Sequence, residues 1–206
     1  MSTPPEPRPA KRSEARERLL AAASGLFYAE GIGSVGVNRI VTAGRVTLAT
    51  FYRHFPTKED LVVAYLDGVH DAIAAGAATL EDDHWGRELV RALGRDVTAQ
   101  TARPGFRGCA FVNAASEFED PGSPVRRVVA EHRRWYLDLV RRGFEQAGHR
   151  LPGNAARHFV MLRDGAMTAG SLDDPDLARR TFDRGVEGLL RSVDLEPADP
   201  REDDDA

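Results

Sequence analysis

Apolar residues recur at intervals of three and four along most of the chain, which is the spacing of amphipathic α-helices. The first such stretch follows Ser13, whose hydroxyl can cap a helix, and ends near Gly31 and Gly33. No strand-like alternation of apolar and polar residues continues beyond four positions. We therefore predict an all-α fold of about nine helices.

Two short helical patterns and the turn between them occupy residues 37–55. The first covers about 37–43, and the second begins after Thr47, a suitable N-cap, and ends near His54, just before a proline. Gly44 lies between them, and we expect it to adopt the left-handed backbone that such a turn requires. Two helices joined in this way are typical of a helix-turn-helix.

The second of these helices has two unlike faces. Phe51 and Phe55 are four residues apart and therefore share one face. Tyr52, Arg53 and His54 lie between them and can all donate hydrogen bonds to a phosphate. We predict that Phe51 packs in the core and that Tyr52 faces outward.

Longer helices follow this region. Thr57 and Asp60 have the spacing of a capping box for a fourth helix of about six turns. In the seventh helix we expect Asp138 to pair with Arg134 and Arg142 at helical spacing. The helices after the fourth are predicted at about 85–97, at 109–118, from Ser123-Pro124 to Gly148, from Asn154 onward and from Pro175 onward.

The 206 residues, 42% of them hydrophobic and 29% charged, have the composition of a soluble globular protein. No apolar run approaches the roughly 20 residues that span a bilayer, and the N-terminus lacks the apolar segment of a secretory signal. The single cysteine, Cys109, excludes an internal disulfide and suits a reducing compartment. We therefore expect a cytoplasmic protein without a membrane partner.

The charge is divided unevenly along the chain. The net charge is −4, but residues 1–58 hold nine basic and four acidic residues, so this segment carries +5 and the remainder −9. A basic segment on an acidic body is what a localised surface for a polyanion would look like. Chance clustering of arginines on helices is the alternative interpretation.

Motifs of enzymes and metal sites are missing from the sequence. It contains no nucleophile elbow, P-loop or HExxH motif, and its histidines show no ligand spacing. We interpret the Asp-Asp-His run at 82–84 as an acidic helix end rather than a metal site, and Cys109 as a buried inert thiol rather than a redox sensor. We therefore predict no enzymatic activity, no cofactor and no metal.

Region 37–61 resembles the tetracycline-repressor (TetR) family of bacterial transcription regulators. The run Phe-Tyr-x-His-Phe-x-x-Lys-x-x-Leu is far more specific than a general helix-turn-helix pattern, and the close resemblance covers roughly residues 11–60. Segment 107–118 is also similar to one branch of these regulators. The residues that carry the resemblance are Phe27, Gly31, Val37, Ile40, Ala43, Val46, the run Thr50-Phe51-Tyr52-Arg53-His54-Phe55, Lys58, Leu61 and Leu66.

Two positions depart from the family pattern. The family usually has Gly-Val in the turn, where this chain has Arg45-Val46 and its glycine one residue earlier, at Gly44. The family usually has a pair of threonines before the second helix, where this chain has Val35-Gly36, which leaves Ser34 or Gly36 to cap it. Either departure would loosen the motif by about 1 kcal/mol. Arg45 would instead offer an additional contact to phosphate.

The resemblance implies distinct roles for the polar residues of this region. The start of the second helix of the motif would reach base edges in the major groove, and neighbouring side chains would bind phosphates. Threonine hydroxyls can donate or accept at base edges, and apolar side chains can contact thymine methyl groups. The implied DNA-binding residues are Asn38, Arg39, Arg45, Thr47, Leu48, Ala49, Thr50, Tyr52, His54 and Lys58.

The resemblance also implies the domain organisation. We expect a disordered arm at 1–12, a three-helix DNA-binding domain with the helix-turn-helix at 13–57, a larger helical effector-binding and dimerisation domain at 58–194, and a disordered acidic tail at 195–206.

Family members act as homodimers and sense a small molecule, and both properties are implied here. The last two long helices would form the dimer interface, with Phe159, Leu162, Ala166, Ala169, Gly170, Phe182, Val186, Leu189 and Leu190 as candidates. The middle helices would enclose an effector of unknown identity, with Trp85, Phe106, Phe111, Asn113, Phe118, His132, Trp135, Tyr136 and Met167 as candidates. Burial in the core of one protomer is the alternative for each residue of both sets.

The predicted function is therefore that of a sequence-specific DNA-binding regulator of transcription. It would act as a repressor that a small-molecule effector releases from an inverted-repeat operator. The alternative is a helical enzyme or a protein-interaction module in which the N-terminal motif has only a structural role.

Overall fold

The protein is described by a computed structural model that covers residues 14–192. Over this range it contains nine α-helices and no β-strand, as the hydrophobic pattern predicts. The expected arm, the expected acidic tail and the Ser13 cap lie outside the described residues. The helices are α1 (Glu14–Glu30), α2 (Val37–Ala43), α3 (Leu48–His54), α4 (Lys58–Asp83), α5 (Arg87–Thr101), α6 (Ala110–Glu117), α7 (Pro124–Gln146), α8 (Pro152–Leu172) and α9 (Pro175–Arg191).

Helices α1 to α3 and the first turns of α4 pack around one apolar core. The residues that fill it are the periodic apolar positions of the sequence. Each helix therefore packs its apolar face against the core. Phe51 and Leu19 are fully buried, and Phe27 stacks edge-on against Tyr65 of α4 with ring centroids 5.7 Å apart. The remaining buried residues of this core are Ala23, Ile32, Val35, Ile40, Val41, Phe55, Leu61, Val62 and Leu66.

Polar caps set the helix starts that the sequence predicts. The Thr47 hydroxyl accepts a hydrogen bond from the Thr50 backbone N–H at 3.2 Å, and Ser123 caps α7 in the same way. The capping box of α4 is complete, because Thr57 and Asp60 each accept a hydrogen bond from the backbone N–H of the other. Each such cap satisfies a helix-terminal donor and contributes about 1 kcal/mol.

Helix α5 begins at Arg87, so the predicted start at Trp85 is wrong. Gly86 precedes it with φ +55°, a backbone conformation that favours glycine. A side chain there would also lie 3.2 Å from the Gln146 carbonyl oxygen at the end of α7. Trp85 consequently stands in the connection before the helix, with 71% of its surface exposed.

The long helix α4 connects the N-terminal core to the remaining helices. It is the one helix within the described range that is long and apolar enough to cross a bilayer by length and composition, so the expectation that no apolar stretch approaches this length is corrected. Leu61, Val62 and Leu66 are fully buried in the protein. Two acidic residues, Asp67 and Asp71, interrupt the apolar stretch. Only 28% of the apolar stretch is buried inside the protein, so α4 meets the criterion by length and composition alone.

Helices α5, α7, α8 and α9 form the larger core, and ion pairs join its outer edges. Arg91 of α5 binds both carboxylate oxygens of Glu187 in α9, at 2.7 and 3.0 Å. Arg142 of α7 pairs with Glu81 of α4 at 2.9 Å. The expected pairing of Arg142 with Asp138 is therefore wrong, since a partner on an adjacent helix takes its place.

Candidate nucleic-acid interface and interior cavity

The turn between α2 and α3 differs from the predicted one. Gly44 has φ −76°, and Arg45 adopts the left-handed backbone with φ 52°. Glycine is needed at 44 for space instead, because a Cβ there would lie 3.2 Å from the Ile40 carbonyl oxygen and 3.4 Å from that of Arg18. The Arg18 side chain joins α1 to this turn by donating a hydrogen bond to the Gly44 carbonyl at 3.2 Å.

The first turn of α3 presents its side chains to solvent. Leu48 is 43% exposed and Ala49 is exposed beside it. The hydroxyls of Thr47 and Thr50 are hydrogen-bonded to each other at 2.9 Å, so their orientation is fixed before any partner binds. Phe51 on the opposite side is fully buried and holds the helix against the core. The outward face therefore combines hydroxyl groups with small apolar groups, which suits base edges and thymine methyls.

Tyr52 lies on the outward side as predicted, with half of its surface exposed. Its ring packs edge-on against the Phe51 ring with centroids 5.2 Å apart, so this contact holds the side chain in place. Arg53 beside it is exposed, and His54 is partly buried at the end of the helix. A hydroxyl and a guanidinium together offer donors for phosphate oxygens.

Two expected phosphate ligands have protein partners. Arg39 binds the Glu30 carboxylate through both terminal nitrogens, so this ion pair would have to exchange for phosphate. Lys58 donates to the Ile32 carbonyl and lies above the Phe27 ring at 5.9 Å. Burial lowers the pKa of Lys58, and the nearby Glu117 opposes the shift. Asn38 and Arg45 are exposed.

The loop after α1 is fastened to α6, a contact that the sequence does not reveal. Glu117 at the end of α6 accepts hydrogen bonds from the backbone N–H groups of Ile32 and Gly33, at 2.9 and 2.5 Å. Tyr28 of α1 donates to the Gly108 carbonyl at 3.1 Å and accepts from the backbone N–H of Arg107 at 3.0 Å. We call the contacts of Tyr28 and Glu117 with these loops the α1–α6 joint.

A cavity of about 240 Å³ adjoins this joint on its inner side. Phe106, Phe111 and Met167, three of the candidate effector residues, line it. The full lining is Tyr28, Val69, Ile73, Gln100, Arg103, Pro104, Gly105, Phe106, Gly108, Cys109, Ala110, Phe111, Arg163 and Met167.

The other expected effector residues lie elsewhere. Trp85 is far too exposed for an enclosed site, and Asn113 turns to the Arg107 carbonyl at 2.9 Å on the side of the joint. Phe118 forms the C-terminal end of α6 and packs against the core. Trp135 packs edge-on against His70, at a centroid distance of 4.8 Å.

His132 and Tyr136 form a layer behind the cavity wall. The His132 ring stacks on Phe111 at 3.6 Å, and its Nδ1 lies 3.0 Å from Nδ1 of His70. Burial, reinforced by the positive charge of Arg163, lowers the pKa of His132 to about 3. Burial raises the pKa of Tyr136 to about 12. Both residues are therefore neutral at physiological pH, and they support lining residues rather than line the cavity.

Arg163 is the lining residue that sequence reasoning missed. Helix α8 turns Ala156, Phe159, Met167 and Gly170 inward, and Arg163 stands on the same face with only 5% of its surface exposed. A signal was available, since an arginine interrupts a stripe of apolar residues at helical spacing. Long charged residues are rarely buried, so the pattern favours a solvated position.

The candidate dimer residues divide between two faces of α8 and α9. Five of them, Phe159, Gly170, Phe182, Val186 and Leu190, are buried within the protomer, although Phe182 also lines the outer groove described below. Gly170, for example, has no room for a side chain, because a Cβ would lie 3.0 Å from Thr101 of α5. Ala166 is 8% exposed, whereas Leu162, Ala169 and Leu189 are partly exposed.

An apolar groove of about 320 Å³ runs along the outer side of the same two helices. Leu162, Ala166 and Ala169 line it, together with Met161 and Leu177, which are 70% and 50% exposed. We call this surface the α8–α9 groove. Exposed large side chains grouped in this way are typical of a surface that another protein covers.

No group of three or more histidine, cysteine, aspartate or glutamate side chains in the described part of the chain could hold a metal ion. Cys109 is buried at the start of α6, where its sulfur lies 3.7 Å from a terminal nitrogen of Arg163.

Comparison with known proteins supports the interpretation of the N-terminal motif. The sequence profile of bacterial regulatory proteins of the tetR family matches residues 19–65. A TetR-family transcriptional regulator from Streptomyces coelicolor, known from its crystal structure, is 49% identical; the alignment covers 89% of this chain and 98% of that chain, with a TM-score of 0.86. A proposed TetR transcriptional regulator from Streptomyces avermitilis is 28% identical, over 90% of this chain and 100% of that chain, with a TM-score of 0.79.

A shorter match is to an HTH-type transcriptional repressor from Mycobacterium tuberculosis, which is 32% identical over 93 residues. The aligned region is 41% of this chain and 50% of the repressor, so the chain spans about half the length of the curated relatives it matches.

Proposed function

This chain belongs to the TetR family of transcriptional regulators, and on that premise we propose that it is a repressor that binds an inverted-repeat operator as a homodimer and is released by a small-molecule effector. The observation that carries the proposal is the outward face of α3, where exposed Leu48 and Tyr52 stand on a fully buried Phe51. A rigid helix with an exposed, mixed polar and apolar first turn fits the major groove of DNA.

The proposed DNA contacts divide by position on the motif. Thr47, Leu48, Ala49 and Thr50 would meet base edges, because helix N-terminal residues enter the groove most deeply. Phosphate contacts would come from Tyr52, His54, Arg45, Asn38 and Arg39, the last after exchange of its ion pair with Glu30. We assign Lys58 a lesser role in binding DNA, because it donates to the carbonyl of Ile32, whose backbone N–H bonds to Glu117 in the joint.

Dimerisation is proposed through the α8–α9 groove. Its exposed Met161 and Leu177 would be buried against the same surface of a second copy, as an isologous interface requires. A two-fold axis there would present two α3 helices to the same side of a DNA duplex. Half-sites then fall about 34–36 Å apart or at a multiple of that spacing, which one protomer alone cannot read.

Effector release is proposed to act through the α1–α6 joint. Phe106, Gly108 and Cys109 line the cavity, and the same segment contacts Tyr28 of the DNA-binding domain. A ligand shifts the equilibrium only if it binds more tightly to the arrangement that does not fit the operator. Because the joint ties α6 to the loop before α2, a ligand that displaces α6 would also move the DNA-binding helices. The boundary between the two domains would fall at the start of α4.

We propose no enzymatic role and place the protein in the cytoplasm, where chromosomal DNA is accessible. The family is one of regulators, and the DNA-binding face accounts for the most specific part of the sequence.

Selection of binding sites from random double-stranded DNA by the purified full chain tests the proposal. We expect enrichment of an inverted repeat, and an affinity that falls steeply as salt rises because phosphate contacts release counterions. Equal binding to selected and random DNA would contradict the proposal and favour a structural role for the N-terminal motif.

A further inference from the structure

We propose that the effector of this protein is a small organic anion, and that Arg163 binds its carboxylate inside the cavity between α4, α5, α6 and α8. This inference rests on the proposed function, because it assumes that the cavity is the effector site. It adds the chemical class of the ligand and the residue that recognises it.

The charges around the cavity all have one sign. Its 14 lining residues include two arginines, Arg103 and Arg163, and contain no aspartate or glutamate. Cavities lined by charges of one sign concentrate ligands of the opposite sign. An organic cation would meet only repulsion here, and a neutral ligand would leave the buried charge of Arg163 without further compensation.

Arg163 is buried but incompletely neutralised. One terminal nitrogen donates to Asp164 at 2.9 Å, the other lies 3.7 Å from the Cys109 sulfur, and the guanidinium stands 4.8 Å from the Tyr136 ring centroid. The second oxygen of Asp164 accepts from Arg133 at 2.8 Å, so a single carboxylate serves two guanidinium groups. This group of three therefore carries a net charge of +1, and an anion in the cavity would neutralise it.

A charge in this environment is costly unless it is paired and fully hydrogen-bonded. A guanidinium has five N–H donors, more than Asp164, Cys109 and Tyr136 take up, and its planar fork matches a carboxylate in two places. An arginine that is held by Asp164 and Cys109 and also lines the cavity is placed to receive a second carboxylate.

The rest of the wall selects the body of the ligand. Phe106, Phe111 and Met167 supply flat and flexible apolar surface, which suits an aromatic or short aliphatic group. The volume of about 240 Å³ is below the roughly 300–1,000 Å³ of sites for drug-sized ligands, so the anion is small. A more open groove between α1, α4 and α5 shares Val69, Ile73, Gln100 and Arg103 with the cavity, and Asp96 is its one acidic lining residue. We take this groove as the route of entry.

The test compares carboxylates with their uncharged amides on the full-length protein. Isothermal titration would measure the binding of benzoate and phenylacetate against benzamide and phenylacetamide, which have nearly the same shape. We expect the carboxylates to bind at least tenfold more tightly than the amides, because hydrogen bonds to charged groups are worth more than neutral ones. Equal affinities, or no binding by either carboxylate, would overturn the inference.

Variants then locate the site. Arg163→Gln should reduce carboxylate affinity to that of the amides, and Arg163→Lys should retain part of the difference. Arg157→Gln, which removes an exposed arginine of the same helix outside the cavity lining, is the control and should change affinity less than twofold. Carboxylate binding that Arg163→Lys leaves undiminished would also overturn the inference. If Arg163→Gln fails to fold, the carboxylate–amide comparison in the unaltered protein and Arg163→Lys still decide the matter.

Operator binding measured in the same samples separates this inference from the function on which it rests. If neutral compounds release the DNA and the carboxylates have no effect, the effector is not an anion. The proposal of a repressor released by an effector would then still hold. Failure of the ligand-free protein to select any DNA site would overturn the repressor itself.

Discussion

Adjacent side chains in α3 have opposite environments, and this contrast defines the candidate DNA-binding face at the scale of single residues. Phe51 is fully buried, whereas Tyr52 is half exposed and presents its hydroxyl to solvent. Helical spacing explains the difference, because successive residues on a helix point about 100° apart. The same spacing places Thr47 to Thr50 at the exposed start of the helix.

Replacement of Tyr52 by phenylalanine tests the phosphate contact without disturbing the fold. We expect Y52F to weaken binding to all operator sequences about tenfold, since one hydrogen bond to a charged group is lost. Its unfolding free energy should stay within about 0.5 kcal/mol of the unaltered protein because the hydroxyl is exposed.

The matched control is Tyr28→Phe, which removes a hydroxyl from the α1–α6 joint. This variant should lower the melting temperature, because Tyr28 makes two hydrogen bonds to the backbone. Unchanged operator affinity of Y52F in a fluorescence anisotropy titration would remove Tyr52 from the interface.

His132 makes the stability of the protein depend on pH. Its pKa of about 3 in the folded state lies below the ordinary value of 6.5, so the unfolded chain binds a proton that the folded one excludes. The groups that face it, His70, Arg163 and Arg133, are basic and oppose its protonation. The contribution of His132 to the free energy of unfolding is therefore complete above pH 6.5. It declines by up to about 1.4 kcal/mol per pH unit as the pH falls towards 3.

The variant His132→Asn removes this titration. We expect its unfolding free energy, measured by urea denaturation at several pH values, to fall less steeply between pH 6.5 and 5 than that of the unaltered protein. Parallel pH profiles for the two proteins would show that His132 accepts its proton within the fold.

At the scale of elements, the turn between α2 and α3 shows how a sequence departure is accommodated. The family pattern predicts a glycine with a left-handed backbone in this turn, but the residue with that backbone is Arg45. Gly44 instead leaves space for the close packing of α1. A non-glycine residue with φ near +50° costs roughly 1–2 kcal/mol. The turn is therefore less stable than one with glycine at residue 45.

Exchanging the turn residues tests this assignment. Arg45→Gly should raise the unfolding free energy by about 1 kcal/mol and weaken DNA binding, because it relieves the backbone but removes a positive charge. Gly44→Ala should destabilise the protein by about 1–3 kcal/mol, since its Cβ would press on the Ile40 carbonyl oxygen. Thermal denaturation checks both, and a stabilising Gly44→Ala would refute the argument from space.

At the scale of the whole molecule, α8 and α9 bury one face and expose another. Phe159, Phe182 and Leu190 fill the protomer core, while Met161 and Leu177 remain on the surface. In the sequence, the apolar residues of each helix form one set, because two opposed apolar faces on one helix look like a single broad stripe. Only packing against α5 and α7 separates the inner residues from those left for a second copy.

A charge placed in the α8–α9 groove tests the proposed dimer. Met161→Glu should weaken self-association roughly a hundredfold or more, because the carboxylate would be buried without a partner. Operator binding should fall with it, while the helical content should not change. Leu151→Glu, at a site 60% exposed but outside the groove, is the control. Sedimentation velocity gives the association state, and a dimer that survives Met161→Glu would place the interface elsewhere.

The sequence alone determined the all-α class, the helix starts that carry polar caps and the identity of the DNA-binding motif. These features depend on residues close together in the chain, such as Thr47 with Thr50 and Thr57 with Asp60, whose interactions need no distant partner. The tertiary structure decided which lysine and arginine side chains of the motif have protein partners, which residues line the cavity and which face of α8 is left exposed. Glu117 bonds to a loop 84 residues earlier, and the proposed role of Arg163 depends on its contacts with Cys109 and Asp164 and on the cavity beside them. Local spacing fixes a residue's place on its own helix, but its neighbours on other helices follow from how those helices pack.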